Sequence, residues 1–469
     1  MSGTDFLQLD PAAAPTRGLT AWLADALRTA IIDGRLAAGT ALPATRILAD
    51  DLGVSRGVIV EVYQRLKDEG MVSARHGAGT KVIGGLPAAG PAAGRPTEVT
   101  FLPQRWRAQA EIDLSPGIPD LAGFPRAAWL RSERTVLQRV DVADLGYSDP
   151  RGSEWLRHEL AGWLTRTRGL RVQADDIIIV AGVAQALALL AQWLRDRDRP
   201  EIAVEDPGSR GSRDELVYWG LRPVPVDVDT DGLRVEDLAR TGVRAVLLTP
   251  AHQFPTGVVL APQRRRELLS WAAPADGLII EDDYDAEYRY DRQPVPAMQA
   301  SAPDCIVYAG STSKMLAPGM RLGWLIAPCG MRPGLIAAKH ASDLGSPALP
   351  QLVLAQLIAS GELEHHIRLA RKRQRGRRDA LLAAIRDYLP QARVQGVAAG
   401  LHLLITFPGF AGQVSDRDLA DRIYEAGVLV HPLSFHCERD EVPGLVVGYA
   451  AHTADQLRDA VQRISRMIM

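Results

Sequence analysis

Cysteine is scarce in this 469-residue chain, and Cys305, Cys329 and Cys437 form an odd, scattered set with no C-x-x-C spacing. That excludes a disulfide framework and a cysteine-based zinc site, so no metal is expected and the three read as buried thiols. Long apolar runs are missing too. Val183 to Leu194, among the longest, is interrupted by Gln185 and Gln192 and falls short of the ~20 residues a bilayer span requires. The first ten residues show no basic segment leading into an apolar core, so no export signal is expected and the chain is placed in the cytoplasm. An excess of either charge is also absent. The net charge is −2, and residues 1 to 83 carry nine Lys/Arg against nine Asp/Glu. Bulk charge therefore gives no pointer to nucleic acid, and any such site must depend on local placement.

What is present is ordinary globular material: 46% hydrophobic and 23% charged residues, enough for two or three domains with their own cores. No internal repeat is visible. A stretch rich in Ala, Gly and Pro from Gly84 to Pro96 resists both helix and sheet, which marks a linker. The expected organisation is a small domain over residues 15–83, a linker over 84–109, and a large domain over 110–469.

In the small domain, apolar residues recur at helical spacing from Leu19 to Ile32, and Gly34 closes the pattern. Pro43 introduces a second helix, Ala44 to Asp51, with Ile47 and Leu48 as its buried face. Gly53 supplies a turn before Ser55, the expected N-cap of a helix over Ser55 to Glu69. Two β-prone pieces, Met71 to Ala74 and Thr80 to Ile83, flank a glycine-containing tip at residues 75–79, the pattern of a hairpin wing. A helix of this kind reads base edges from its first turn, which puts Arg56 in the reading position with Ser55 beside it. Arg46, Arg65, Arg75, His76, Gly77 and Lys81 are candidates for phosphate or groove contacts. The ordered run from Gly34-Arg35-Leu36 through Leu42-Pro43-Ala44-Thr45-Arg46 to Gly53-Val54-Ser55-Arg56, then Tyr63, Leu66, Glu69-Gly70 and Gly77-x-Gly79-Thr80, resembles a GntR-type winged helix. The resemblance implies a double-stranded DNA operator as partner. It departs at Val58, where the family usually has a threonine hydroxyl.

Beyond residue 110, short β-rich runs alternate with helical ones. Asp176 to Ala181, Glu201 to Val204, Val243 to Thr249, Gly277 to Glu281, Cys305 to Ala309 and Leu322 to Ala327 predict a mostly parallel α/β sheet. Ligands of such sheets lie beyond the strand C-termini, where Asp282, Tyr284 and Ser311 to Lys314 fall. Gly182, Val183 and Ala184 lie between a strand and a helix expected from Ala186 to Arg195, and free N–H groups there favour a phosphate. Together these pieces match the needs of pyridoxal 5'-phosphate: Lys314 for the Schiff base, Asp282 for the ring nitrogen, Tyr284 for the ring hydroxyl, and Ser311, Ser313 and Arg321 for the phosphate.

From about Asp113 to Met469 the chain resembles a fold-type I aminotransferase, carried by His252-Gln253-Phe254-Pro255-Thr256-Gly257, Glu281-Asp282-Asp283-Tyr284-Asp285 and Gly310-Ser311-Thr312-Ser313-Lys314 through Arg321-x-Gly323. The expected fold is therefore an N-terminal winged helix-turn-helix, mostly α with a β wing, followed by an α/β fold-type I domain with a smaller C-terminal α+β part. A GntR head fused to such a domain resembles the MocR/GabR subfamily of transcription regulators. The resemblance implies a homodimer with shared sites, Tyr147 in Gly146-Tyr147-Ser148-Asp149-Pro150 reaching the neighbouring subunit's phosphate. Two departures bear on the ligand. Ser209 stands where the family usually has an aromatic residue near the cofactor ring, and Val446 where relatives that bind a substrate carboxylate can place arginine, a role open to Arg210 or Arg213. The leading reading is a regulator sensing the cofactor or an amine or amino-acid effector, with weak transaminase activity at most. The alternatives are a working aminotransferase with a DNA-binding head and a dimerisation scaffold, the latter disfavoured by Lys314, Asp282, Tyr284 and Arg321.

Overall fold

The helical spacing after Leu19 becomes α1 (Leu19–Ile32) in the computed structural model, with Leu23, Ala24, Leu27, Ala30 and Ile31 buried and Gly34 turning the chain at φ 76°. The structure describes residues 9, 14–15, 18–75, 79–83, 110–273, 276–410, 415–439 and 443–468. The linker expected at 84–109 and the expected wing tip with His76 and Gly77 lie outside them. The chain divides into two compact units, Met1–Phe101 and Leu102–Met469.

In the first unit, the two-residue strand β1 (Ala41–Leu42) precedes α2 (Thr45–Asp51) and α3 (Arg56–Asp68). Gly53 takes φ 65° in the turn between these helices. β2 (Val72–Arg75) and β3 (Gly79–Val82) form the wing hairpin, and β1 pairs with the outer edge of β3, a strand too short to leave a sequence pattern. Two expectations need correction. Ile47 is 53% exposed while Leu48 is buried, because successive helical residues point about 100° apart and only one of the pair faces α1 and α3. Ser55 does hold the N-cap position of α3, but its side chain makes no capping hydrogen bond. The Tyr63 hydroxyl donates to the Pro43 carbonyl at 2.9 Å, fastening α3 to the start of α2.

The second unit opens with β4 (Ile112–Asp113), α4 (Arg126–Leu137) and α5 (Glu154–Arg168). There follow β5 (Ile177–Val180), α6 (Val183–Arg195), β6 (Glu201–Asp206), α7 (Arg210–Tyr218), β7 (Arg222–Asp229) and β8 (Gly232–Leu233). Then come α8 (Val235–Thr241), β9 (Ala245–Leu248), α9 (Pro262–Ala272), β10 (Leu278–Asp283), β11 (Ile306–Ser311) and β12 (Gly323–Ile326). These eight strands form one sheet in the order β5-β12-β11-β10-β9-β6-β7-β8. β7, β6, β9, β10 and β11 are parallel, whereas β12 runs against both β11 and β5, so the sheet is mixed at its margins. Its strands are apolar on both faces because both are covered. Ile177 and Ile179 share one core with Trp163 and Trp324, and the alternate residues Ile178 and Val180 share another with the buried face of α6.

Helices α10 (Arg332–Asp343), α11 (Ala348–Ala359) and α12 (Glu362–Tyr388) lead into the smaller part. It comprises β13 (Arg393–Gln395), β14 (His402–Thr406), α13 (Asp416–Glu425), β15 (Val428–Leu429), β16 (His431–Pro432), β17 (Gly444–Gly448) and α14 (Ala454–Ile468). Its antiparallel sheet runs β13-β14-β17-β16, while β15 pairs with β4. Cys329 is exposed and Cys305 and Cys437 are half-buried, contrary to the expectation of three buried thiols. Among the described residues no helix is long and apolar enough to cross a membrane.

Candidate functional site

The end of β10 separates two adjacent aspartates by the two-residue period of a strand. Asp283 is buried in the sheet, 2.6 Å from the Arg168 guanidinium and 2.6 Å from the Tyr308 hydroxyl. Asp282 lines a cavity instead. The sequence had placed Asp282 just after the strand, but β10 runs through Asp283, which holds the carboxyl on fixed backbone. Burial, with Asp283 nearby, pushes the Asp282 carboxyl up to about 7, against the pull of Lys314. Its Oδ1 is buried and has no hydrogen-bond partner, an orphan acceptor that calls for a cationic N–H.

The cavity is about 370 Å³ and brings together Lys314, Asp282, Tyr284, Ser311, Ser313, Arg321, Val183 and Ala184. Ser311 ends β11, and the Lys314 amine donates to the Gly117 carbonyl at 2.5 Å. Burial lowers the Lys314 ammonium below its usual range, with Asp285 and Asp282 acting the other way. A less protonated amine is the form able to attack a carbonyl carbon. The Tyr284 hydroxyl lies 3.1 Å from His252 Nδ1, which is itself 3.0 Å from Asp285; burial, then Asp285 and Asp282, raises this phenol.

At the other end of the cavity, α6 begins at Val183, one turn earlier than the sequence suggested. Val183 and Ala184 are therefore first-turn residues whose N–H groups have no acceptor within the helix. Gly182 adopts φ 84°, and a Cβ there would lie 3.3 to 3.4 Å from the guanidinium nitrogens of Arg321. The Arg321 guanidinium also bonds the Ala181 carbonyl. Glycine backbone, helix N-terminus and planar guanidinium make an anion cradle. Cradle, amine, orphan carboxylate and phenol together fit pyridoxal phosphate.

Several lining residues escaped the sequence reading. Gly117, Thr249, Ser212 and Glu215 belong to no motif singled out there, and Phe254 was noted only as part of one. Ser209 lines the cavity and caps α7 by accepting from the Ser212 N–H at 3.2 Å. Neither candidate replacement for the missing arginine reaches the cavity. Arg213 is buried, donates to the His436 carbonyl at 3.0 Å and pairs with Glu438 at 3.3 Å, while Arg210 stacks over Phe435 and pairs with Asp214. Val446 is fully buried with Leu404 and Leu433, and Phe254 packs against them. The neighbouring His402 and His436 are held well below the usual histidine range by burial, so they are neutral. Tyr147 is 93% exposed and does not line this chain's cavity.

In the first unit, Arg56 is the first residue of α3 and exposed, with Ser55 before it. Arg46 on α2 and Lys81 on β3 are also exposed, Arg65 pairs with Glu61, and Arg75 ends β2.

Residues 111–464 match the family model for aminotransferase class I and II, and residues 19–82 that for bacterial regulatory proteins of the gntR family. The chain is 32% identical over 461 residues to the HTH-type pyridoxine biosynthesis transcriptional regulator PdxR of Corynebacterium glutamicum, covering 97% of this chain and 96% of that one. It is 30% identical to the probable rhizopine catabolism regulatory protein MocR of Rhizobium meliloti, covering 94% and 92%. Among solved structures, a kynurenine aminotransferase of Pyrococcus horikoshii superposes with a TM-score of 0.72 at 26% identity, over 80% of this chain and 95% of that one. Fold and site thus define a pyridoxal-phosphate-binding aminotransferase domain carried behind a DNA-binding winged helix. The chain belongs to the MocR/GabR subfamily of GntR-type transcription regulators, and it is a DNA-binding regulator.

Proposed function

We propose that this regulator works as a cytoplasmic homodimer whose effector is pyridoxal phosphate itself, cofactor occupancy changing how the dimer engages its operator. The observation that carries this reading is the cation inventory of the cavity. Lys314 and Arg321 are the Lys and Arg among its described lining residues, and the cofactor engages both. A substrate carboxylate desolvated there would lack a guanidinium partner, which is costly. The name of the pyridoxine biosynthesis regulator in Corynebacterium points the same way.

In this reading Lys314 holds the cofactor covalently, through the aldehyde that the cofactor supplies. Asp282 keeps its ring nitrogen protonated, and Tyr284 bonds the ring hydroxyl. Ser311, Ser313, Arg321 and the N–H groups of Gly182, Val183 and Ala184 bind the phosphate, which Tyr147 of the partner subunit completes. In the head, Arg56 reads a base edge, with Ser55, Arg46, Arg75, His76, Gly77 and Lys81 on the backbone or in the groove. Sensing requires only that the cofactor bind two dimer arrangements with different affinity.

The test is to titrate an operator duplex with full-length protein, with and without pyridoxal phosphate, and to mix the loaded protein with amino acids, amines and keto acids. The cofactor should change operator affinity, amino acids should be converted slowly at best, and borohydride should fix the cofactor on Lys314. Rapid multiple turnover of a common α-amino acid, with no effect of the cofactor on DNA binding, would overturn the proposal in favour of an enzyme.

A further inference from the structure

The exposed face of α3 contains an apolar side chain that the fold does not use. Ile59 and Val62 are fully buried in the core of the first unit, whereas Val60 between them is 47% exposed. It stands four residues after Arg56, on the same side of the helix. We infer that Val60 contacts the C5-methyl group of a thymine in the major groove, close to the base read by Arg56. This rests on the DNA-binding reading of the first unit.

Gly57 carries no side chain. Gln64, one turn beyond Val60, is tied to Asp68 at 2.8 Å, and Arg65 and Glu61 pair with each other at 3.1 Å. Val60 is therefore the side chain of the second turn left to meet a base edge. An isopropyl group has nothing to offer a donor or acceptor, and placed against the polar edge of guanine, adenine or cytosine it would leave that group without water or partner. The thymine methyl is the apolar feature of the major-groove code. Four helical residues rise about 6 Å, so the thymine lies within about two base-pair steps of the Arg56 base.

Duplexes enriched from a random pool by the full-length, cofactor-loaded protein provide the probe. In the best of them, each thymine is replaced singly by deoxyuridine, which removes only the methyl. One such replacement per motif copy, within about two steps of a guanine whose preference is lost in Arg56→Ala, should weaken wild-type binding about four-fold, the value of one buried methyl. The same replacement should change binding by Val60→Ala less than two-fold. Because Val60 lies outside the core, that variant should retain wild-type circular dichroism and cofactor binding. Tight binding with no methyl-sensitive thymine, or an equal penalty in Val60→Ala, overturns the inference alone. Failure to enrich any duplex overturns it together with the DNA-binding reading.

Discussion

Arg56 and Lys81 are both exposed cations, yet they should fail differently. Arg56 begins α3, the proposed reading helix, and its planar fork suits the O6 and N7 edge of guanine. Arg56→Ala should weaken specific binding by roughly 1 to 3 kcal/mol and relax base preference; an unchanged footprint and affinity would remove it from the reading set. Lys81, on β3, is proposed to meet a phosphate, so Lys81→Ala should weaken all duplexes alike and reduce the salt slope by about one. In the large unit, Glu205 gives a pH prediction. It is buried at the end of β6, accepts from the Thr249 N–H and hydroxyl at 2.9 and 2.8 Å, and is pushed up to about 7 by burial. The folded state therefore binds this proton more tightly than the unfolded state. Its stabilising contribution is complete below the ordinary glutamate value of about 4.3 and is lost as pH rises through about 7, on the order of 3 kcal/mol at most. Thermal midpoints should fall across that window in wild type and fall less in Glu205→Gln, which can still accept both Thr249 bonds. Parallel pH profiles would show that Glu205 does not set the slope.

At the scale of elements, what was legible in the sequence had a strong period or a chemical signature. α1 was visible from Leu19 to Ile32 because its apolar stripe spans almost four turns and ends at a glycine. β5, β9, β10, β11 and β12 were visible because buried strands are short apolar runs. β1, β8, β15 and β16 are two residues each, too short for any period, and β7, with its two prolines and two aspartates, carries no apolar run. The start of α6 was hidden for a different reason: Val183 and Ala184 suit a loop or a helix equally, and the φ of Gly182 is a backbone property that composition does not disclose. That glycine allows a direct test. A side chain at position 182 meets the Arg321 guanidinium and must also adopt a positive φ, which is strained for a β-branched residue. Gly182→Val should weaken pyridoxal phosphate binding at least ten-fold while far-ultraviolet circular dichroism stays native. Unaltered affinity in a spectroscopic titration would dissociate the α6 terminus from the phosphate.

For the whole molecule, the motifs that name Lys314, Asp282, Tyr284 and Arg321 were readable because each is a chemical group at a strand end, and the cavity gathers all four. Tyr147 is the exception: it is 93% exposed, which suits the proposal that it acts across the subunit boundary of a dimer rather than within its own chain. The segment around it is also unusually apolar for a surface, with Val142 86% and Leu145 59% exposed. A second copy of the chain would cover such a patch. If the proposed dimer shares its sites, each site takes Lys314 from one chain and Tyr147 from the other. Lys314→Ala should then abolish covalent attachment, and Tyr147→Phe should weaken phosphate binding in both sites of its homodimer. A mixed dimer of the two variants behaves differently. One site combines both lesions, and the other combines an intact Lys314 with an intact Tyr147. Denaturing and refolding the variants together, then isolating the mixed species by orthogonal tags, should restore one wild-type-affinity covalent site per dimer, scored by borohydride trapping at limiting pyridoxal phosphate. If Tyr147 instead served its own chain, the lysine-bearing chain would keep its tyrosine lesion and the mixed dimer would bind no better than the Tyr147→Phe homodimer.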